Sequence, residues 1–303
     1  YVPGTTAADL YWAGQSYKLA SGTTLYAVYG QSAYYCLLGN GADGGKVGEA
    51  MSGIYRLPYV SELYTRDGYV GYGWNTKADG TGTHYYEGYS TGGGIAETLY
   101  AQWEKLPETG VVYHGVGGRV SSGGIYRANL VKSTAPGPAD LGNMNFYRND
   151  CGFLGWGTSE NCFPETSATV EQGQVLELYA VWSIYGRAAS YSNLGTYGYF
   201  GPVSVGGTVI GSGNLEKTVG GTGWSYDDKM IYLDGSYTGQ PIYTDHDLEI
   251  HVSGNVTVHA AKGDAISAGG KVELYYGDGA SLTAVSDDPA GYGISAGGQQ
   301  TAK

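Results

Sequence analysis

Three segments of the chain carry the same alternation of apolar and polar positions: TLYAVYG (residues 24–30), TLYAQWE (98–104) and ELYAVWS (177–183). Alternation at a period of two predicts strands with one face buried. The landmarks preceding the later copies recur in order. GIYR stands at 53–56 and again at 124–127, and RDGYVGYGWNT (66–76) answers RNDCGFLGWGT (148–158), with arginine and tryptophan eight residues apart in each. YYCLLGNGADGG (34–45) likewise parallels VVYHGVGGRVSSGG (111–124). The pattern predicts the C-terminal part of one unit (1–29), two complete units (30–105 and 106–183), a connector (184–205) and a region of different texture (206–303). In GYVGYGW, strict alternation puts Tyr69, Gly71 and Gly73 on one face and Val70, Tyr72 and Trp74 on the other. Trp74 and Trp156 are expected to anchor small cores, joined by Trp103 and Trp182 from the closing strands. ADGTGT (78–83) supplies glycines for a hairpin turn.

From residue 206 the spacing changes. Isoleucines at 242, 266 and 294 begin similar runs, the last two sharing ISAGG. Measured from Ile242 and Ile266, apolar residues recur at +6 (Leu248, Val272), +8 (Ile250, Leu274), +14 (Val256, Ala280) and +16 (Val258, Leu282). The following coil is 28 residues long, with DDPA (287–290) as its expected insertion. Short alternating strands between glycine turns at a fixed period predict a right-handed parallel β-helix, whose inward residues stack in columns. Gln300 and Ala302 would fall on inward columns, so more coils or a cap are expected beyond Lys303.

Composition agrees with a mainly β class. The 303 residues include 54 Gly and 31 Tyr, and only 15% are charged. Interior glycine disfavours long helices, while Tyr, Val and Thr favour pleated surfaces. A net charge of −12 repels a phosphate backbone, which argues against nucleic acid as a partner. No run approaches the roughly 18 apolar residues of a membrane span, so no membrane insertion is expected here. Three cysteines (Cys36, Cys151, Cys162) form no CxxC, and a Cys151–Cys162 disulfide is one alternative. The abrupt start at YVPGTTAADLYW reads as part of a longer, secreted protein. LPETG (106–110) spells a cell-wall sorting signal, but no span follows it. The expected role is a linker between a closing and an opening strand.

The two complete units resemble the Listeria–Bacteroides repeat, the B-repeat type of internalin-like surface proteins. That family's pattern runs arginine, GY-x-F-x-GW, a DGTG turn and TLYAQW. The match is close in GYVGYGWNTKADGTGTHY…TLYAQW and looser in the next unit, where Cys151-Gly152 and SENCFPE replace family positions. The resemblance implies small β-grasp-like modules in tandem on extracellular proteins, with spacer or adhesive roles and no catalytic residues. The C-terminal region resembles β-helical, carbohydrate-binding-type domains of gut-bacterial surface proteins, on GTGWSYDDKMIYLDG (221–235) and the ISAGG coils.

Candidate chemistry is sparse. The 24-residue alignment stacks Asp247, Glu249 and His251 beneath Lys271, Glu273 and Tyr275 on an outward face. A solvated ladder is the first reading, with metal or sugar binding and paired-carboxylate catalysis as alternatives. Tyr85, Tyr86 and Tyr89 either face the core or present a sugar-stacking platform. No HExxH, GxSxG or phosphate-loop pattern is present, and Asp79 lacks the companions of a calcium loop. The expectation is a non-catalytic modular cell-surface protein without cofactor. Its repeats would act as a stalk and its β-helix as an adhesive face for a host or bacterial glycan or protein, with Glu249, His251, Glu273, Tyr275, Tyr85 and Tyr86 as candidate binding residues. The alternative is a fragment of a carbohydrate-active enzyme, a β-helical polysaccharide lyase or glycosidase.

Overall fold

A computed structural model describes residues 34–45, 50–52, 56–90, 97–187, 197–214, 217–227, 229–238, 240–297 and 300–302. The unit tail at 1–29, positions 53–55 of the first GIYR and 188–196 of the connector lie outside the described residues. Regular structure is almost entirely strand; among the described residues a single four-residue helix, Val60–Leu63, interrupts it. The chain clusters into two compact units. One comprises 1–112, 119–135 and 171–175, the other 113–118, 136–170 and 176–303.

In the first unit, Tyr34–Leu38 runs parallel to Glu97–Lys105 and antiparallel to Ala50–Ser52, and Tyr69–Asn75 pairs antiparallel with Glu97–Lys105. Leu37, Leu57, Val60, Leu63, Trp74, Leu99 and Ala101 are buried together. The expected strict alternation in GYVGYGW is broken. Gly71 pairs with Trp103 but Gly73 pairs with Gln102, so one extra residue bulges between them. The bulge brings Gly71 to the core side, where a Cβ would strike the Val60 side chain. It also lets Trp74, three residues on, reach the same core. Gly73 has φ +146° there, and a Cβ would lie 2.6 Å from the Tyr85 carbonyl oxygen. A side chain would therefore meet both strain and a clash.

The second unit repeats this device. Phe153 pairs with Trp182 and Gly155 with Val181, the same one-residue shift, and Gly155 has φ +154°. Trp74 and Trp156 are both fully buried, donating their indole N–H to the carbonyls of Pro58 (2.9 Å) and Gly142 (2.7 Å). Trp103 and Trp182 donate to Gly39 (2.8 Å) and Gly115 (2.7 Å). An aromatic edge closes each core, Tyr64 on Trp74 and Phe146 on Trp156. Both tryptophans are thus buried with the indole N–H held by a backbone carbonyl. The two GIYR arginines differ: Arg127 is buried and Arg56 exposed.

In the C-terminal region, Trp224–Asp227 and Met230–Leu233 form a hairpin, and Met230–Leu233 then pairs parallel with Leu248–Val252. The stacking expected from the isoleucines is present. Ile242 lies over Ile266 and Ile266 over Ile294, Leu248 over Val272 and Ile250 over Leu274, all in parallel register. The third strand departs from expectation. Val256 pairs with Leu282, and Val258 with Ala284, an offset of 26 rather than 24. Four residues, 277–280, turn the chain between Val272–Tyr276 and Ser281–Ser286, where only two, 253 and 254, do so one layer earlier. Only two further residues enter beyond Ser286, so the expected four-residue DDPA insertion is split between two turns. Gln300–Ala302 continues the register against Val272–Leu274.

Candidate functional site

The stacked carboxyls have the predicted register and unpredicted surroundings. Glu249 pairs with Glu273 and His251 with Tyr275, but Glu249 is 1% exposed and Glu273 7%. The solvated ladder expected here is therefore corrected. A heptad-free period of 24 reports which residues stack, but not what packs over the outer face. Met230, paired with Glu249 on the preceding strand, is also fully buried. Neither carboxyl oxygen of Glu249 finds a hydrogen-bond partner among the described residues. Lys271 Nζ lies 3.6 Å from Glu273 Oε2, and the Tyr275 hydroxyl donates to the same oxygen at 3.3 Å. Burial, and next the Glu273 carboxylate alongside, push the Glu249 carboxyl up to about 7. This is a pair that holds a proton rather than one that offers two carboxylates to water. Its burial takes Glu249 and Glu273 out of reach of an external sugar. His251 is half-buried and rests against Tyr232 at 5.6 Å.

The tyrosines of the first repeat divide. Tyr85 and Tyr89, both partly buried, pack against the core around Trp74. The half-buried Tyr86 forms a corner with Tyr89 and with the exposed Tyr126. Its ring meets Tyr89 at 5.4 Å and 86°, and Tyr126 at 6.1 Å and 70°. Tyr126 is 53% exposed. The Arg119 guanidinium stands 5.4 Å from the Tyr86 ring centre and 5.6 Å from that of Tyr126. Local structure explains the assembly. Val120–Ser122 and Ile125–Arg127 form a hairpin closed by Gly123 and Gly124, which puts Tyr126 on one strand and Arg119 immediately ahead of the other. The hairpin is secured by the Tyr126 carbonyl on His84 Nε2 (2.9 Å), by Arg127 on Glu104, and by Asn129 Nδ2 donating to the Gly71 carbonyl. Arg127 also covers the Tyr72 ring at 4.2 Å. Close by in sequence, Glu87 is 5% exposed and accepts from the Val60 N–H at 2.7 Å; burial pushes it up to about 8, so it is protonated at neutral pH.

Tyr126 and Arg119 were not singled out by sequence. The available signal was the GIYR copy itself, with a tyrosine beside the two-glycine turn, but nothing in one dimension brings residues 86 and 126 together.

Other candidates resolve individually. Asp79 accepts from the Thr81 N–H and hydroxyl, serving the turn. Among the described residues no disulfide joins Cys151 to Cys162, so that alternative is set aside. Cys36 is buried and its thiol is pushed up to about 11 by desolvation. LPETG joins Glu97–Lys105 to Gly110–His114 as expected of a linker. Thr109 is 8% exposed, its hydroxyl accepts from the Gly173 N–H at 2.9 Å, and the Gly110 N–H donates to the Gln174 carbonyl at 3.0 Å. No helix among the described residues is long and apolar enough to cross a membrane. Against known proteins, no family model, curated protein or solved structure matches this chain.

Proposed function

We propose that this chain is part of a non-catalytic, extracellular cell-surface protein. In this reading, tandem β-grasp-like repeats of the Listeria–Bacteroides type form a stalk that leads into a right-handed parallel β-helix, and adhesion is to a glycan or glycoprotein. The observation that carries the adhesive part is the tyrosine corner. Tyrosine supplies large contact area at low conformational cost, with a polar edge for hydroxyl groups, and Tyr126 holds more than half of its surface open to solvent. The contact face thus moves from the β-helix, where sequence had put it, to a corner shared by Tyr86 and Tyr89 of the first complete repeat and Tyr126 of the second. The parallel register of Ile242, Ile266 and Ile294 supports the β-helical reading. The paired tryptophan anchors support the tandem one. The enzyme alternative loses its best candidate because Glu249 and Glu273 are buried.

The test is a glycan, mucin and matrix-protein array probed with the whole chain and with Tyr126→Ala. Retention that the substitution abolishes is expected. No retention on any feature would overturn the adhesive reading in favour of a spacer.

A further inference from the structure

Resting on the tandem part of that reading, we propose that the first complete repeat carries a docking face for the arginine hairpin of the repeat that follows it, so that the hairpin of one repeat folds as part of its predecessor. The compact unit built on the first repeat also takes in 119–135 and 171–175, which the sequence pattern assigns to the second. The hairpin's contacts fall on three strands of the first repeat. The Arg127 guanidinium pairs with Glu104 and lies 4.2 Å from the centre of the Tyr72 ring. The Tyr126 carbonyl accepts from His84 Nε2 at 2.9 Å, and Asn129 Nδ2 donates to the Gly71 carbonyl. His84 stacks in turn on Tyr72, with 5.8 Å between ring centres and 28° between planes. Burial holds the His84 ring below its usual range, so at neutral pH it is uncharged and Nε2 carries the proton that the carbonyl accepts.

The bulge makes this face. Tyr72 is the residue inserted between the Gly71–Trp103 and Gly73–Gln102 pairs, and an inserted residue leaves the ladder and can be re-aimed. Arg127 and Asn129 are both buried. A buried guanidinium without its carboxylate is strongly destabilising, so the fit requires an acid at position 104. The second repeat does not reproduce the face. Leu154 stands where the first has Tyr72, and Ser183 where it has Glu104, so a further arginine would find neither ring nor charge. Nor does the first repeat carry the complete hairpin signature. Arg56, the counterpart of Arg127, is exposed, and Pro58 stands where the second repeat has Asn129. The partner this face fits is a downstream repeat with arginine closing its GIYR and asparagine two residues on.

The experiment is hydrogen exchange of the whole chain, read peptide by peptide at one pH, in Arg127→Gln, Glu104→Gln, the two combined, and Arg56→Gln. Arg127→Gln is expected to lower protection about tenfold in 69–75 and 97–105 as well as in 119–135, the ratio that loss of one charged hydrogen-bond partner supports. Glu104→Gln should do the same, and the double variant should lose no more than either single one, as coupled partners do. Cys151–Gly157 should keep its protection, and Arg56→Gln should change nothing. Loss confined to 119–135, additive losses in the double variant, or an equal loss in Arg56→Gln would overturn the docking face and leave the tandem reading standing. An equal loss in Cys151–Gly157 would overturn both, since repeats that open as one block are not separate modules.

Discussion

Replacing Glu249 by Gln removes one ionisable carboxyl of the buried pair while keeping its volume and a polar terminus. In the folded chain the Glu249 carboxyl is pushed from an ordinary 4.5 to about 7, whereas in the unfolded chain it returns to the ordinary value. Between those two pH values the folded state holds a proton that the unfolded state has released. Stability therefore falls as pH rises across this window. The contribution is fully present below 4.5 and is lost as pH passes 7. The interval of about 2.5 in pH, at about 1.36 kcal/mol each, is worth about 3 kcal/mol. The amide of Glu249→Gln does not titrate, so the variant should lack this component. Relative to the parent, its stability should rise by about 2 kcal/mol between pH 5 and pH 8, the part of the window that lies above pH 5. The assay is urea unfolding at pH 5 and 8, read by hydrogen exchange in peptides covering 248–276. Comparing parent and variant at one pH cancels the intrinsic exchange chemistry and isolates Glu249 from Glu87. A parent-minus-variant difference that stays constant from pH 5 to pH 8 would refute the argument that Glu249 folds protonated.

Two further outcomes follow from the repeats. A sortase that cleaves LPETG in a free peptide should leave the folded chain intact at Thr109–Gly110, because both residues are buried and bonded into their surroundings; mass spectrometry showing native cleavage there at the peptide's rate would reject the linker reading. Gly73→Ala and Gly155→Ala should each destabilise by about 1–3 kcal/mol in thermal or urea unfolding, since both sites combine positive φ with a Cβ clash. Unchanged midpoints would show that the bulges tolerate a side chain.

Much of the architecture is legible in one dimension because it rests on repetition. A strand copy such as TLYAQW must bury one face, and its recurrence with arginine, glycine and tryptophan at fixed distances declares the same small core twice. Isoleucines 242, 266 and 294 likewise announce stacking, because parallel layers put equivalent residues over one another. Period alone failed where a turn could absorb residues without disturbing the strands, as at 277–280. Alternation failed where a bulge re-aimed Gly71 and Trp74.

What the sequence determined by itself was the mainly β class, the tryptophan-centred repeats and the layer register, all local patterns propagated by backbone pairing. Only tertiary structure decided solvent access and long-range neighbours. It buried Glu249 and Glu273, turned Tyr85 inward, and brought Arg119 and Tyr126 to Tyr86. Those outcomes depend on what packs over each surface, and no residue's spacing from its own repeat encodes the element that will cover it.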